Sequence, residues 1–344
     1  MKSPATTSLI ITLLTLCLAS GERVLAQSPA ATTPAATRAA RPRPPLPMEI
    51  AATYADRVEI IRDISYADGK NNYQKVDLYL PKKRNTDKPL PIIALIHGGG
   101  WGGGTRLFFT NRACDYASTG DYAAVCVGYR LTGEAKWPAQ IHDCKAAIRL
   151  IRARAKEWNL DPDRIGVLGG SAGGHLATLI AATGSVRTLD GDIGPYKETS
   201  SAVQCLVNFC GPCDLTQPLT NDKRMAVDIA DKVTKLLGGE AKDLPEVARE
   251  ASPLTYISKD TPPVITIHGT RDSFVDFTLS QRLDAALKAA GVKSYLVPML
   301  SVDHQFSASA VTLGRVKQFL DMYLRDIPSE ISTEPIPFSD AITH

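Results

Sequence analysis

Apolar and polar positions along the chain follow two periods. Short apolar runs stand at VEIIRDISYA (58–67), KVDLYLP (75–81), PIIALIHGGG (91–100), DYAAVCVGYR (121–130), RIGVLGG (164–170), AVQCLVNF (202–209), PVITIHG (263–269) and SYLVPM (294–299), and they predict strands. Helical spacing appears between them. Ile141, Ala147, Ile148, Ile151 and Ala155 mark a helix over 139–157, and others are predicted over 171–183, 277–290 and 308–324. The first two strands read as a hairpin through Asp68-Gly69, and Asp161-Pro162 marks a turn before the run at 164. Strands alternating with helices predict an α/β fold: a mostly parallel central sheet of about eight strands with helices on both faces. The more polar stretch 215–260 reads as a small cap or insertion.

The two ends do not fit this alternation. Lys2 precedes an apolar run at 9–19, LIITLLTLCLA, and Val24-Leu25-Ala26 offers a small residue at a cut before Gln27. Residues 1–26 thus read as a cleavable signal peptide, since the run is shorter than the ~18–20 residues that span a bilayer. The expected location is secreted or periplasmic, with no membrane contact beyond that signal. Bulky Leu16 before Cys17 argues against a lipid anchor. Residues 27–47, rich in Ala, Pro and Thr, have little to bury and read as a flexible linker. Residues 48–327 are the expected folded domain, and 328–344 a weakly structured tail.

Charge sharpens this division. The net formal charge is +3, but residues 1–26 carry +1 and the acid-free linker, with Arg38, Arg41 and Arg43, carries +3. The remaining 48–344 therefore sum to −1. The folded part lacks the basic stripe that nucleic-acid binding needs. Outside the signal there are six cysteines: Cys114, Cys126, Cys144, Cys205, Cys210 and Cys213. Disulfides are possible in an oxidising compartment, and sequence cannot choose their pairing.

Gly169-Gly170-Ser171-Ala172-Gly173 is a G-x-S-x-G stretch after a predicted strand and before a predicted helix. A sharp turn there lifts the serine above the sheet with its hydroxyl exposed, beside helix amides that favour developing negative charge. A phosphate loop would need Gly-Lys-Ser/Thr, which is absent. His97-Gly98-Gly99-Gly100-Trp101 ends another strand. Its glycines can turn backbone N–H groups towards an oxyanion, so Gly99 and Gly100, with the N–H of Ala172, are the candidate oxyanion hole. His97 reads as a brace for the loop. Trp101 is a candidate to line the substrate pocket, with simple packing as the alternative.

The base and acid come later. Asp272 lies in a loop after a strand, within His268-Gly269-Thr270-Arg271-Asp272, and His304 follows the last strand. The order Ser171, Asp272, His304 is one of the known serine–histidine–acid orders. Competitors are Asp214, which also follows a strand, and Asp276 and Asp303. Among histidines, His142, His175 and His268 fall on or beside predicted elements, and His344 is in the tail.

HGGGW, GGSAGG, HGTRD and DH in this order resemble the α/β-hydrolase superfamily and its HGGG-bearing esterases. QKVDLYLP (74–81) and WPAQIHDCKAAIRLIRARAKEWNLDPDRIGVLGGSAGGHLA (137–177) are similar to the secreted carboxylesterases grouped with bifunctional feruloyl and acetyl-xylan esterases, the BD-FAE-like group. The resemblance spans about 55–325. It implies an α/β-hydrolase fold and a serine esterase without metal or organic cofactor, acting through an acyl-enzyme on a small or polysaccharide-linked ester. A peptidase, an arylformamidase and a non-catalytic binding module on the same fold are the alternatives. One departure stands at Cys210-Gly211-Pro212-Cys213-Asp214, where such proteins carry aromatic-Gly-Pro-Thr-Asp. CGPC is also a redox motif, but a redox dithiol wants its first Cys at a helix N-terminus, and DLTQP is a poor helix start. A structural disulfide and unbridged thiols are the other readings.

Overall fold

The computed structural model describes residues 52–304 and 309–341; the proposed signal peptide and linker lie outside them. Eight strands form one sheet: β1 (Val58–Ser65), β2 (Lys75–Pro81), β3 (Leu90–Ile96), β4 (Ala123–Val127), β5 (Leu160–Gly170), β6 (Cys205–Phe209), β7 (Val264–Gly269) and β8 (Ser294–Met299). Their order is β1-β2-β4-β3-β5-β6-β7-β8. β2 pairs antiparallel with both β1 and β4, and the pairs from β4 across to β8 are parallel. The predicted hairpin and parallel sheet are both present.

The central strands are continuous apolar runs because both faces are covered. β3 shows how. Ile92, Ala94 and Ile96 point into one core layer, and Ile93 and Leu95 into the other. The first layer is closed by α2 (Ala139–Arg154), α3 (Ala172–Ala182) and α6 (Phe277–Ala289), through Ile148, Leu176 and Leu283. The second is closed by α1 (Thr110–Ser118) and α7 (Ala310–Leu324), through Ala113, Phe319 and Leu320. α1 is not predicted, because TNRACDYAS combines weak helix formers with only a narrow stripe of small buried residues.

The 215–260 insertion carries α4 (Ala226–Leu237) and α5 (Pro245–Glu250). α4 ends at Gly238, in the left-handed conformation with φ 89°.

Two local expectations need correction. Asp161-Pro162 does not separate a turn from β5; it lies within the strand. The pairing with β3 shifts between Leu90↔Leu160 and Ile92↔Ile165, so the turn signal becomes a bulge, with the Asp161 carboxylate accepting from the Asp163 N–H. The stretch after 328, expected to be weakly structured, is tied to the sheet edge. Ile336 donates its N–H to Pro298 O (2.8 Å), accepts from Leu300 N–H (2.8 Å) and is fully buried. A single-turn α8 (Phe338–Ala341) follows.

No disulfide joins the six cysteines, all of which are buried. The CGPC thiols face different core layers, Cys213 the first and Cys210 the second, and this separates them. Burial pushes the Cys213 thiol up to about 12 and the Cys210 thiol well above its ordinary value, the reverse of a redox dithiol.

Candidate active site

Every candidate group lies just past the C-terminal end of a parallel strand, so one sheet edge collects them. Gly99 and Gly100 follow β3, Ser171 follows β5, Asp272 follows β7 and His304 follows β8.

The turn at Ser171 is sharp. Its backbone has φ 54° and ψ −124°, a region essentially reserved for glycine, and it is held by Ser171 N–H to Phe209 O (2.8 Å) and His175 N–H to Ser171 O (3.0 Å). Small neighbours make the turn possible. A Cβ at Gly173 would stand 2.0 Å from Ile96 O, so helix α3 could not start this close to β3 with any larger residue.

The serine hydroxyl lies 2.9 Å from His304 Nε2, and His304 Nδ1 lies 2.7 Å from Asp272 Oδ2. The Asp272 side chain is fully buried. Its Oδ1 accepts the N–H groups of Phe274 and Val275, each at 2.8 Å. Its Oδ2 also takes His268 Nε2 at 2.9 Å. Burial alone would raise this carboxyl, but hydrogen bonds from His268 and His304 outweigh it and hold the group well below the usual carboxylate range. An ionised Asp272 keeps the proton of neutral His304 on Nδ1. Nε2 is then free to take the serine proton.

His268 is the residue that sequence reasoning missed. It ends β7 as expected, yet its ring bridges Ser280 Oγ (2.7 Å from Nδ1) to Asp272, with Val275 O 3.0 Å from Nε2. The signal was the i, i+4 spacing of HGTRD.

The competing acids are occupied elsewhere. Asp214 pairs with Arg282 (2.6 Å) and accepts from Thr216. Asp276 caps α6 through the Thr278 N–H. Asp303 accepts from the Ser273 and His304 N–H groups, shaping the loop that carries the base. The competing histidines are also placed: His142 in α2 and His175 in α3, while His344 lies outside the described residues.

The glycine loop turns as its composition predicts. Gly99 has φ 115° and Gly100 φ 57°, and a Cβ at Gly99 would meet Gly103 O at 2.4 Å. His97 braces it: the ring stacks on Tyr129 at 4.2 Å and its Nδ1 lies 2.8 Å from Gly98 O. Trp101 is both packed and lining. It is 3% exposed, donates its indole N–H to His175 Nδ1 (3.2 Å), and forms one wall of the cavity over Ser171. That cavity, about 330 Å³, also contains Gly99, Gly100, Ala172 and His304, with Phe274, Leu219, Ile229 and Lys232 closing it. Phe274 stacks on the His304 ring at 5.0 Å. The Lys232 stem lies over Gly100, where a Cβ would meet its Cδ at 2.6 Å.

His175 is fully buried, with Nε2 2.7 Å from Ala251 O. Burial lowers His97 and His175 from the ordinary 6.5 to about 4 each. Both are neutral in the fold and charged only in the unfolded chain between those values. Their stability contribution is therefore present above pH 6.5 and lost as pH falls towards 4. Urea unfolding from pH 7 to pH 4 is expected to show stability falling by up to about 1.4 kcal/mol per pH unit for each of these two protons. A His175→Gln protein should show a shallower fall.

The sheet order, the strained serine turn and the Ser171–His304–Asp272 line of hydrogen bonds define an α/β-hydrolase fold. The BD-FAE family model matches residues 76–287, more than half of the 344-residue chain, and the chain belongs to that family. Esterase LipC of Mycobacterium tuberculosis is 28% identical over 64% of this chain and 54% of its own length. The chain spans about half the length of the curated relatives it matches. Among solved structures, a truncated carbohydrate esterase from gut microbiota is 27% identical with TM-score 0.62, over 72% of this chain and 89% of that one. The butyrate-bound esterase Est2 of Thermogutta terrifontis is 26% identical with TM-score 0.61, over 78% and 94%.

Proposed function

We propose that the chain is an exported serine carboxylesterase. The observation that carries this is the unbroken line of hydrogen bonds from Ser171 through His304 to a buried, ionised Asp272. Ser171 Oγ attacks the ester carbonyl as its proton passes to His304 Nε2. The carbonyl oxygen becomes an oxyanion facing the N–H groups of Gly99, Gly100 and Ala172, each donor worth about 3 kcal/mol. His304 then gives its proton to the departing alcohol, and water releases the acid from the acyl-enzyme by the same steps.

The substrate class proposed is an acetyl or feruloyl ester of plant polysaccharide, or a small ester of similar acyl size. Support comes from a cavity walled by Trp101, Phe108 and Phe274, from the family, and from relatives whose names describe a carbohydrate esterase and a butyrate-bound esterase. Export rests on the charged and apolar pattern of residues 1–26.

The test compares release of acetate from acetylated xylan, of ferulate from feruloylated arabinoxylan, and of nitrophenol from p-nitrophenyl acetate. Turnover of the nitrophenyl ester and at least one polysaccharide ester is expected. Turnover of the nitrophenyl ester alone would remove the polysaccharide assignment. No turnover by folded protein would remove the enzyme assignment.

A further inference from the structure

The cavity over Ser171 has a neighbour. A second hollow of about 470 Å³ is lined by residues of the insertion, with Leu215, Leu219, Ile229 and Val233 as its apolar floor. Those four side chains are buried, whereas Thr216, Gln217, Glu240 and Lys242 at its rim are exposed. An apolar floor with a polar rim, at this volume, is the form of a ligand site.

Leu219 and Ile229 line both cavities. The cavity over Ser171 and the second hollow therefore share two aliphatic side chains as a common boundary. Leu219 is pinned by its backbone, its carbonyl accepting the Asp276 N–H at 2.7 Å, so its freedom lies in side-chain rotation. Ile229 comes from α4, a helix of the insertion rather than of the sheet layers.

We propose that the second cavity extends the ester site: it receives the distal apolar part of a substrate arm too long for the cavity over Ser171, and Leu219 and Ile229 form the partition that arm passes. The ligand class is an ester with an extended aliphatic or aryl-alkenyl arm. The proposal rests on the reading of Ser171 as nucleophile, and its occupant follows from the shared Leu219 and Ile229 boundary and the apolar floor of the second cavity.

The experiment measures the ratio of kcat/KM for p-nitrophenyl octanoate to that for p-nitrophenyl acetate. Leu219→Ala and Ile229→Ala thin the partition, and each is expected to raise the ratio about tenfold. Thr234→Trp and Ala241→Phe fill only the second cavity, and each is expected to lower it by a similar factor. The same ratio for octyl against ethyl acetate tells which arm enters: a response confined to the nitrophenyl series assigns the acyl arm, one confined to the acetates the alcohol arm. Equilibrium binding of p-nitrophenyl octanoate to the non-turning Ser171→Ala protein supplies a readout independent of catalysis, expected to weaken about tenfold when Thr234→Trp is added. Acetate turnover with unmoved ratios and unmoved binding would overturn this inference alone. Absence of all ester turnover would overturn the reading beneath it, and the binding measurement would still decide whether the cavity takes an apolar chain.

Discussion

Ser171→Ala is expected to lower kcat for ester hydrolysis by about 10⁶, with the fold intact. Alanine keeps the Cβ, so the backbone at φ 54° and ψ −124° bears the same strain and the turn is unchanged. What is lost is the hydroxyl oxygen that stands 2.9 Å from His304 Nε2. Circular dichroism and the urea midpoint should match the parent. A fluorophosphonate probe should label Ser171 in the parent and nothing at that peptide in the variant. Full turnover by the variant would mean that another group attacks the ester.

Asp272→Asn should cost about 10⁴ in kcat, and the surroundings give the reason. The carboxylate accepts at both oxygens, from Phe274 and Val275 N–H at Oδ1 and from two histidines at Oδ2. An asparagine would turn its carbonyl oxygen to the two backbone N–H groups and present its NH₂ to His268 and His304. His304 Nδ1 then faces a donor and cannot donate to it, so His304 must carry its proton on Nε2, facing the serine. That tautomer cannot take the Ser171 proton. The matching control is Asp214→Asn. Asp214 is bound to Arg282 and Thr216 away from this line, so its loss should affect stability and leave kcat within a few-fold. A larger loss of kcat at Asp214 than at Asp272 would displace the acid.

The parts of the site that were legible in the sequence are those where chemistry and backbone geometry coincide. The glycines of HGGGW and GGSAGG mark places where a side chain would collide with another backbone, and the distances at Gly99 and Gly173 show such collisions. The separation of Asp272 from Asp214 was not legible to the same degree. Both follow strands, and only the arrival of His304 beside one of them tells them apart. CGPC misleads for a related reason: spacing alone is compatible with a dithiol, whereas the chain's course through the β6 turn sends Cys210 and Cys213 into opposite layers.

By itself, then, the sequence determined the parallel sheet, the order of serine, acid and base, and the loops that carry them. These depend on local periodicity and on residues whose conformational demands are intrinsic. Only the tertiary structure decided the rest: the shared hold of His268 and His304 on one carboxylate oxygen, the placing of His175 between the Trp101 indole and Ala251 O, and the two cavities that share Leu219 and Ile229 in their linings. Each of these joins residues far apart in the chain or set by a whole element's orientation. Such contacts leave no period in the sequence, because they depend on how separate elements pack and not on what any one of them prefers alone.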